Sequence, residues 1–167
     1  FFAQKLLELG QHERALYIDS DTIIRGSLQE LLEFPIGMPL AARLEDKRPE
    51  VDAAIRINQL EPGKYFNAGV LAFDLTDENV GTALERTVHA IHHSHDTLMF
   101  HDQCALNIGF KGTFRPLDSR FNYFVKPQLA NAPLEAAELP DAVIIHYLDR
   151  PKPWDPAYPR DTCRHWF

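Results

Sequence analysis

Short apolar runs alternate with stretches of helical periodicity along this chain. Four runs rich in Val, Ile, Leu and aromatic residues have the length of a strand: residues 15–18, 69–73, 113–117 and 142–145. After a cap at Thr76 or Asp77, an apolar residue recurs every three or four positions from Val80 to Ile91, which predicts a helix with one buried stripe. Strands that alternate with helices predict an α/β layer architecture.

Cap residues predict two more helices. Ser27 and Glu30 have the spacing of a capping box, so we expect a short helix to begin there. That helix is expected to turn three leucines inward: Leu28, Leu31 and Leu32. A further helix is expected to begin at Asp102.

Two polar segments are predicted to lack regular structure. Residues 45–63 are charged and aperiodic apart from the short patch 53–55, so we expect a long loop or a mobile lid, a class of segment that often carries function. The tail from Pro151 to Pro159 contains four prolines in nine residues and is predicted to be extended on the surface.

The charge balance narrows the range of partners. With 17 basic and 24 acidic residues the net charge is −7, which argues against a nucleic-acid binder, because such proteins carry a surplus of Lys and Arg. An apolar content of 45% is typical of a folded domain, and 167 residues need no disulfide for stability. Cys104 and Cys163 lack a CxxC partner and are expected to be ordinary thiols in a reducing compartment. No apolar run approaches the roughly 20 residues that cross a bilayer.

Two aspartates and a histidine follow predicted strands. Asp19 and Asp21 come after the first strand, where their carboxylates can converge on one hard divalent cation, although Asp and Ser also suit a plain turn. His146 ends the run 142–145, and in open α/β sheets ligands bind outside the carboxyl ends of strands. Two carboxylates with one imidazole suit manganese or a similar ion. A single His after a strand is also compatible with a structural hydrogen bond.

Three further segments carry polar side chains at element boundaries. Asn67 and Gly69 precede a strand, which fits a binding segment or a turn into an edge strand. Asp102 and Gln103 stand at a helix start, where Asp is also a common N-cap. Lys152 is followed by Pro153 and Trp154, and a solvated lysine is the alternative to a binding role.

In this order the segments resemble the retaining glycosyltransferases of family 8, which include bacterial lipopolysaccharide galactosyl- and glucosyltransferases and glycogenin. The resemblance extends from Phe2 to about Tyr158. The matching segments are residues 15–21 (ALYIDSD), 65–71 (YFNAGVL), 102–103 (DQ) with 106–107 (LN), 120–123 (RFNY), and His146 followed by 152–154 (KPW). Each motif alone is unspecific, but five in the family's order are specific.

The resemblance implies a GT-A fold, a Rossmann-like nucleotide-diphospho-sugar transferase with a mixed sheet flanked by helices. It implies one catalytic domain over residues 1–167. By the same resemblance, Asp19, Asp21 and His146 hold Mn²⁺, or Mg²⁺, on the diphosphate of a nucleotide sugar. A metal and the Lys152 ammonium suit this chemistry, because a diphosphate leaving group gains negative charge in the transition state.

The transferred sugar is implied to lie among Asn67, which binds substrate, and the catalytic residues Asp102 and Gln103. Retention requires either a nucleophile on the opposite face or same-face attack guided by the leaving phosphate. Because an amide is a poor nucleophile, we favour same-face attack, with Gln103 and Asp102 stabilising an oxocarbenium-like state.

The implied function is metal-dependent transfer of a hexose, from UDP-glucose or UDP-galactose, to a glycan, lipopolysaccharide or protein acceptor. The partners are then a nucleotide-sugar donor and a glycan or lipid-linked saccharide. We expect a cytoplasmic location, compatible with peripheral contact at the inner face of the membrane.

The sequence departs from the family pattern in three places. The upstream segment that binds the nucleobase is missing, and the chain starts at Phe1 without Met, so we expect a fragment. Lys5 stands where the family has an arginine. The lysine keeps the positive charge for substrate binding but cannot form the two parallel hydrogen bonds of a guanidinium group. Asp149 replaces a family glycine, and we expect its carboxylate to point outward and pair with Arg150 or a neighbouring base.

Two other functions fit parts of the sequence. The His and Asp residues between His89 and Asp102 are similar to those of HD-type metal phosphohydrolases, although such proteins are predominantly helical. A non-catalytic sugar-nucleotide or carbohydrate-binding module of the same fold is the second alternative, because the base-binding segment is missing and Asp149 is unusual.

Overall fold

A computed structural model describes residues 2–33, 35–126 and 141–157. Helices and strands alternate along these ranges, which confirms the predicted α/β architecture. The helices are α1 (Phe2–Leu9), α2 (Gln29–Glu33), α3 (Pro49–Ile57), α4 (Val80–His93) and α5 (His101–Phe110). The strands are β1 (Arg14–Ile18), β2 (Thr22–Ile24), β3 (Leu40–Leu44), β4 (Phe66–Asp74), β5 (Arg115–Pro116), β6 (Tyr123–Val125) and β7 (Ile144–Tyr147).

The larger sheet is built around β4. Its order is β1-β4-β3-β5, in which β4 is antiparallel to both neighbours and β5 adds parallel to β3. Leu71 and Phe73 pack in the core cluster that includes α4 and α5, whereas Val70 and Ala72 pack in a second cluster with Leu31 of α2. Burial on both faces explains why this strand is a continuous apolar run.

A smaller sheet packs against the larger one. Its order is β2-β7-β6, with the central strand β7 antiparallel to β2 and parallel to β6. All four residues of β7 are buried. Ile144 of β7 belongs to the same core cluster as Val70 and Ala72 of β4, so the central strands of the two sheets pack together.

The prediction of a long loop or mobile lid over residues 45–63 is wrong, because α3 lies inside this segment. Pro49 occupies the first turn of α3 together with two acidic residues, and Arg56 lies in the last turn, so the helix carries the usual end signals. Its apolar side chains are buried against the α4 and α5 region: Val51, Ala54 and Ile55.

The strand predictions also need correction. Strand β3 is missing from them because Ala has a low strand propensity and Arg43 interrupts the apolar run. The strand predicted at 142–145 begins two residues later, so His146 lies inside β7 and not after it. The strand at 113–117 shrinks to β5. In β1 only Ala15 is buried, because this strand forms the edge of the larger sheet.

Helix α2 is only partly as predicted. Ser27 Oγ accepts a hydrogen bond from the backbone N–H of Gln29 (3.1 Å), as expected of a cap. The Glu30 carboxylate does not complete a capping box and pairs with Arg120. Leu31 is buried, but Leu32 is 46% exposed, because a single turn of helix presents only one narrow face to the core.

The structure describes one of the two thiols and only part of the proline-rich tail. Cys104 is a buried free thiol whose Sγ lies 3.1 Å from the Tyr65 hydroxyl. Cys163 and the end of the proline-rich tail lie outside the described residues. Within the described ranges, no helix has the length and apolarity to cross a bilayer.

Helices α4 and α5 pack unusually closely at Gly109. A Cβ at this position would lie 2.0 Å from Thr87 Oγ1 and 2.5 Å from the carbonyl oxygen of Ala83. Because the obstacles include helix backbone, no rotation of a side chain makes room. Glycine therefore sets the distance between the two helices that cover β4.

We expect Gly109→Ala to lower the free energy of unfolding by about 1–3 kcal/mol, since it overpacks this contact. Urea denaturation followed by circular dichroism measures the change. Gly81→Ala in α4 is the control, because its Cβ would meet only Leu7 Cδ2 at 3.4 Å. Alanine there should leave stability unchanged or raise it by up to about 1 kcal/mol. Equal stabilities for the two variants would contradict the overpacking.

Candidate metal and donor site

Asp19 and Asp21 lie in the turn that carries the chain from the larger sheet to the smaller one. The Asp19 N–H donates to the carbonyl of Gly69 (2.8 Å), and the Tyr147 N–H donates to the carbonyl of Asp21 (3.0 Å). The Thr22 hydroxyl closes the turn by donating to the Asp19 carbonyl (2.8 Å). The turn is thus tied to β4 on one side and to β7 on the other, which holds both carboxylates where the sheets meet.

His146 reaches this junction because Gly69 has no side chain. A Cβ at Gly69 would lie 2.0 Å from His146 Cε1 and 2.4 Å from Nδ1. The imidazole is buried and packs edge-on against the ring of Phe124, with ring centroids 6.1 Å apart. His146 Nε2 lies 3.3 Å from Asp21 Oδ1 and 3.8 Å from Asp19 Oδ2.

Each of these three side chains has one polar atom held by a neighbour and the other directed at a common centre. The held contacts are Tyr17 OH to Asp19 Oδ1 (2.7 Å), Lys152 Nζ to Asp21 Oδ2 (2.6 Å) and His146 Nδ1 to Asn122 Oδ1 (2.9 Å). Ligand atoms of the three residues converge within 4.8 Å of one another. Two carboxylates and one imidazole in this arrangement suit a divalent cation, so the predicted donor set fits a metal ion.

The two carboxylates differ in their electrostatic environment. Burial raises the pKa of Asp19 above its ordinary value, and this effect outweighs the Tyr17 hydrogen bond and the attraction of His146. Burial acts in the same direction on Asp21, but contacts with the His146 ring and the Lys152 ammonium outweigh it and hold the pKa of Asp21 well below its usual range in the absence of a cation. A cation at the centre would offset the cost of ionising Asp19.

Four buried polar side chains form a continuous hydrogen-bonded row behind the aspartates and histidine. Asn122 Nδ2 donates to Asn67 Oδ1 (3.0 Å), and Asn67 Nδ2 donates to Glu45 Oε2 (2.9 Å). Gln103 Nε2 donates to the same Glu45 oxygen (3.2 Å). The row therefore connects Asn67 and Gln103 to His146 through Asn122, and their contact with the transferred sugar stays a prediction.

Sequence reasoning missed three of the residues that organise the site. Glu45 falls in the segment interpreted as a loop, yet its side chain is fully buried. Its position directly after an apolar run was the available signal. Asn122 lies in the matching RFNY segment but carried no assigned role, and Tyr17 was interpreted only as a strand residue.

Asp149 has a backbone conformation that explains the family glycine. Its φ is +60°, in the left-handed region that glycine adopts without cost and that Asp tolerates better than most residues. Of the two expected partners, Arg150 or a neighbouring base, the carboxylate faces a neighbouring base, with Oδ1 3.6 Å from Arg48 Nη1. Arg48 also lies 3.8 Å from Glu45, so it faces two carboxylates.

Of the other predicted site residues, Lys152 lies at the junction of the two sheets, whereas Asp102 and Lys5 are exposed. Lys152 Nζ contacts both Asp21 and the Tyr147 carbonyl (2.6 Å), so it lies at the junction. The exposed Asp102 accepts a hydrogen bond from the Gln103 N–H (3.0 Å) and is among the charges that raise the pKa of Asp19. Lys5 pairs with Glu8 on the exposed side of α1, and its role stays a prediction.

Comparison with known proteins agrees with this geometry. The family model described as glycosyl transferase family 8 matches residues 1–157. The chain belongs to this family. The lipopolysaccharide 1,2-glucosyltransferase of Escherichia coli strain K12 is 28% identical, with 92% of this chain and 47% of the relative covered. The lipopolysaccharide 1,3-galactosyltransferase of Salmonella typhimurium is 30% identical, with coverages of 88% and 46%. The family 8 chain thus spans about half the length of these curated relatives.

Solved structures show the same fold. The galactosyltransferase LgtC, crystallised with donor and acceptor sugar analogues, has a TM-score of 0.69 at 24% identity and covers 93% of this chain and 61% of its own. The glycosyltransferase GlyE of Streptococcus pneumoniae has a TM-score of 0.67 at 24% identity, with coverages of 92% and 38%. The predicted GT-A fold of family 8 is confirmed.

The alternative of an HD-type phosphohydrolase finds no support. His89, His92 and His93 are exposed on α4. Within the described ranges, the group of three side chains that could hold a metal is Asp19, Asp21 and His146. The histidine-rich stretch is therefore the solvated side of a helix in a family 8 glycosyltransferase fold.

We expect Gly69→Ala to weaken Mn²⁺ binding at least tenfold, because the new Cβ displaces the His146 ring. The electron paramagnetic resonance signal of free Mn²⁺ measures the affinity. Gly26→Ala is the control, since its Cβ would make only ordinary contacts with Val143, of which Cγ1 is the nearest atom at 3.4 Å. Wild-type affinity in a folded Gly69→Ala variant would show that His146 does not ligate the ion.

Proposed function

We propose that this chain forms the donor-binding and catalytic part of a retaining glycosyltransferase. It would move a hexose from a nucleotide-diphosphate sugar to a glycan or lipid-linked saccharide acceptor. The convergence of Asp19, Asp21, His146 and Lys152 at one junction carries this proposal, because it joins a divalent-cation donor set to an ammonium group. Together they suit a diphosphate leaving group.

We propose Mn²⁺ as the ion, held by Asp19, Asp21 and His146. When bound, it neutralises the negative charge that accumulates on the leaving diphosphate. Lys152 has three N–H donors, of which two are used by Asp21 and the Tyr147 carbonyl. The third is available for a phosphate oxygen of the donor, so Lys152 binds the leaving group while remaining anchored to the site.

The contacts of Gln103 support same-face attack. Its Oε1 accepts hydrogen bonds from the Ala68 N–H (3.1 Å) and from Asn67 Nδ2 (3.3 Å), so both lone-pair directions of this oxygen are occupied. An amide oxygen held in this way is not free to attack the sugar. In the proposed reaction the bond from the anomeric carbon to the diphosphate oxygen breaks, and the acceptor hydroxyl oxygen bonds to the same face. The hydroxyl proton passes to the leaving diphosphate oxygen, and Gln103 and Asp102 stabilise the oxocarbenium-like state.

The relatives named as lipopolysaccharide glucosyl- and galactosyltransferases support glucose or galactose as the sugar that the whole protein transfers, and we propose UDP-glucose or UDP-galactose as its donor. The same names support a saccharide acceptor of the lipopolysaccharide type. The proposal keeps the expectation of a cytoplasmic protein in peripheral contact with the inner face of the membrane.

Asp21→Asn in the full-length protein tests the proposed function. We expect Mn²⁺ affinity to fall at least tenfold and sugar transfer at least a hundredfold, because one ligand charge is lost while the shape is kept. Calorimetry measures Mn²⁺ binding, and UDP release with a panel of UDP-hexoses and saccharide acceptors measures turnover. Asp52→Asn on the exposed side of α3 is the matched control and should change neither value.

Three outcomes of that experiment distinguish between the proposed function, the absence of the metal site and a non-catalytic binding module. Loss of both values in Asp21→Asn alone supports the proposal. Unchanged Mn²⁺ affinity in the folded Asp21→Asn variant would remove the metal site. Mn²⁺ and UDP binding by the wild-type protein without turnover of any donor would favour the non-catalytic binding module.

Asp149→Gly tests how the unusual residue acts on the donor. We expect UDP affinity in the presence of Mn²⁺ to stay within about threefold, because the carboxylate faces the partly exposed Arg48 and a solvent-accessible ion pair contributes only about 0–1 kcal/mol. Calorimetric titration with UDP measures the affinity, and Asp149→Asn, which removes the charge alone, is the matched variant. UDP binding tighter by tenfold or more in both variants would mean that the carboxylate faces the diphosphate.

A further inference from the structure

Asn122 connects the His146 ring to the backbone of the central strand β4. The residue is completely buried, and its side-chain amide lies between His146 and Asn67. It contacts no charged group through that amide among the described residues. The orientation of its amide is therefore set by hydrogen bonds.

A backbone N–H fixes the direction of these hydrogen bonds. The Gly69 N–H donates to the amide atom of Asn67 at 2.9 Å, and since a backbone N–H can only donate, that atom is the oxygen. The Asn122 atom 3.0 Å from this oxygen must be a donor, so it is the nitrogen. The other end of the Asn122 amide is then the oxygen, and His146 Nδ1, 2.9 Å from it, must carry a proton.

The opposite end of Asn67 agrees with this assignment. Its nitrogen donates to the Glu45 carboxylate (2.9 Å), which can only accept when ionised, and to Gln103 Oε1 (3.3 Å). Gln103 Oε1 is itself identified as the oxygen because it accepts from the backbone N–H of Ala68 (3.1 Å). Two backbone N–H groups of β4 therefore set the orientation of every amide in the row.

We propose that Asn122 is a positioning residue that keeps the proton of the neutral His146 ring on Nδ1. Nε2 then presents its lone pair to the centre shared with Asp19 and Asp21, as a metal ligand must. Without this acceptor the ring can carry its proton on Nε2 and direct an N–H at the carboxylates, a form that cannot bind a cation. The inference rests on the proposed function, which supplies the ion. It adds Asn122 as a residue that contacts the proposed metal ligand His146 and not the ion.

The test compares Asn122→Leu with Asn122→Asp in the full-length protein. Mn²⁺ affinity is measured from the resonance signal of free Mn²⁺, and a directly bound imidazole nitrogen is detected by electron spin-echo modulation of bound Mn²⁺. Leucine removes the acceptor, so we expect affinity to fall about 10–100-fold and the nitrogen modulation to disappear from any ion that still binds. Aspartate keeps an acceptor for Nδ1 but loses the donor to Asn67 Oδ1, so we expect an intact nitrogen signal, an Mn²⁺ affinity well above that of the leucine variant and a lower thermal stability than wild type.

Asn107→Leu is the matched control for the loss of a buried asparagine. Asn107 is also buried and makes three hydrogen bonds, to the Phe66 N–H and carbonyl and to the Gln103 carbonyl. We expect it to lower thermal stability while leaving the nitrogen signal and Mn²⁺ affinity unchanged. If Asn122→Leu does not fold, Asn122→Ser takes its place, since the serine hydroxyl is too short to reach Nδ1.

The outcomes separate this inference from the proposal on which it rests. A wild-type protein that binds no Mn²⁺ would overturn the proposed ion. Wild-type affinity and an intact nitrogen signal in Asn122→Leu, or in its serine substitute, would overturn only the role of Asn122. An equal loss in the aspartate and leucine variants would overturn the role of the acceptor atom.

Discussion

The site depends on the close approach of the His146 ring to the backbone of β4 at Gly69. Any side chain there would occupy the space of the imidazole. The absence of a Cβ lets the central strand of the smaller sheet place a polar ring between two apolar layers. Because the ring is buried, both of its nitrogens need partners, and the arrangement of Asn122 on one side and the two aspartates on the other follows from that need.

Much of the architecture is readable from local patterns. The apolar period from Val80 to Ile91 and the strand-length runs identify α4, β1 and β4 because their side chains face a core at regular intervals. Asp19, Asp21 and His146 are identified by their place in the order of family segments, and the structure brings them together. Local spacing is sufficient only for the two aspartates, which share one turn, whereas His146 joins them through the family resemblance.

The parts that sequence reasoning missed depend on contacts between distant segments. Glu45 is a useful buried residue only because Asn67 and Gln103, from two other elements, donate hydrogen bonds to it. The role of Asn122 depends on its hydrogen bonds to Asn67 on β4 and to His146 on β7. Asp149 takes the place of a family glycine at a position with a positive φ, and residue spacing does not show this requirement. Neither tertiary hydrogen bonds nor backbone dihedral angles are visible in residue spacing.

Asp19 is tied to the larger sheet at Gly69 and His146 lies in the smaller sheet, and this has a consequence for unfolding. Asp19 and Asp21 follow the edge strand of the larger sheet, and His146 lies in the central strand of the smaller one. A cation shared between them is a removable cross-link, because separating the sheets must first release the ion. At a hundredfold excess over its dissociation constant, such an ion adds about 2.7 kcal/mol to the free energy of opening. The amides of β4 and β7 would then exchange with solvent as one cooperative unit in the loaded protein, and as two separate units once the ion is removed.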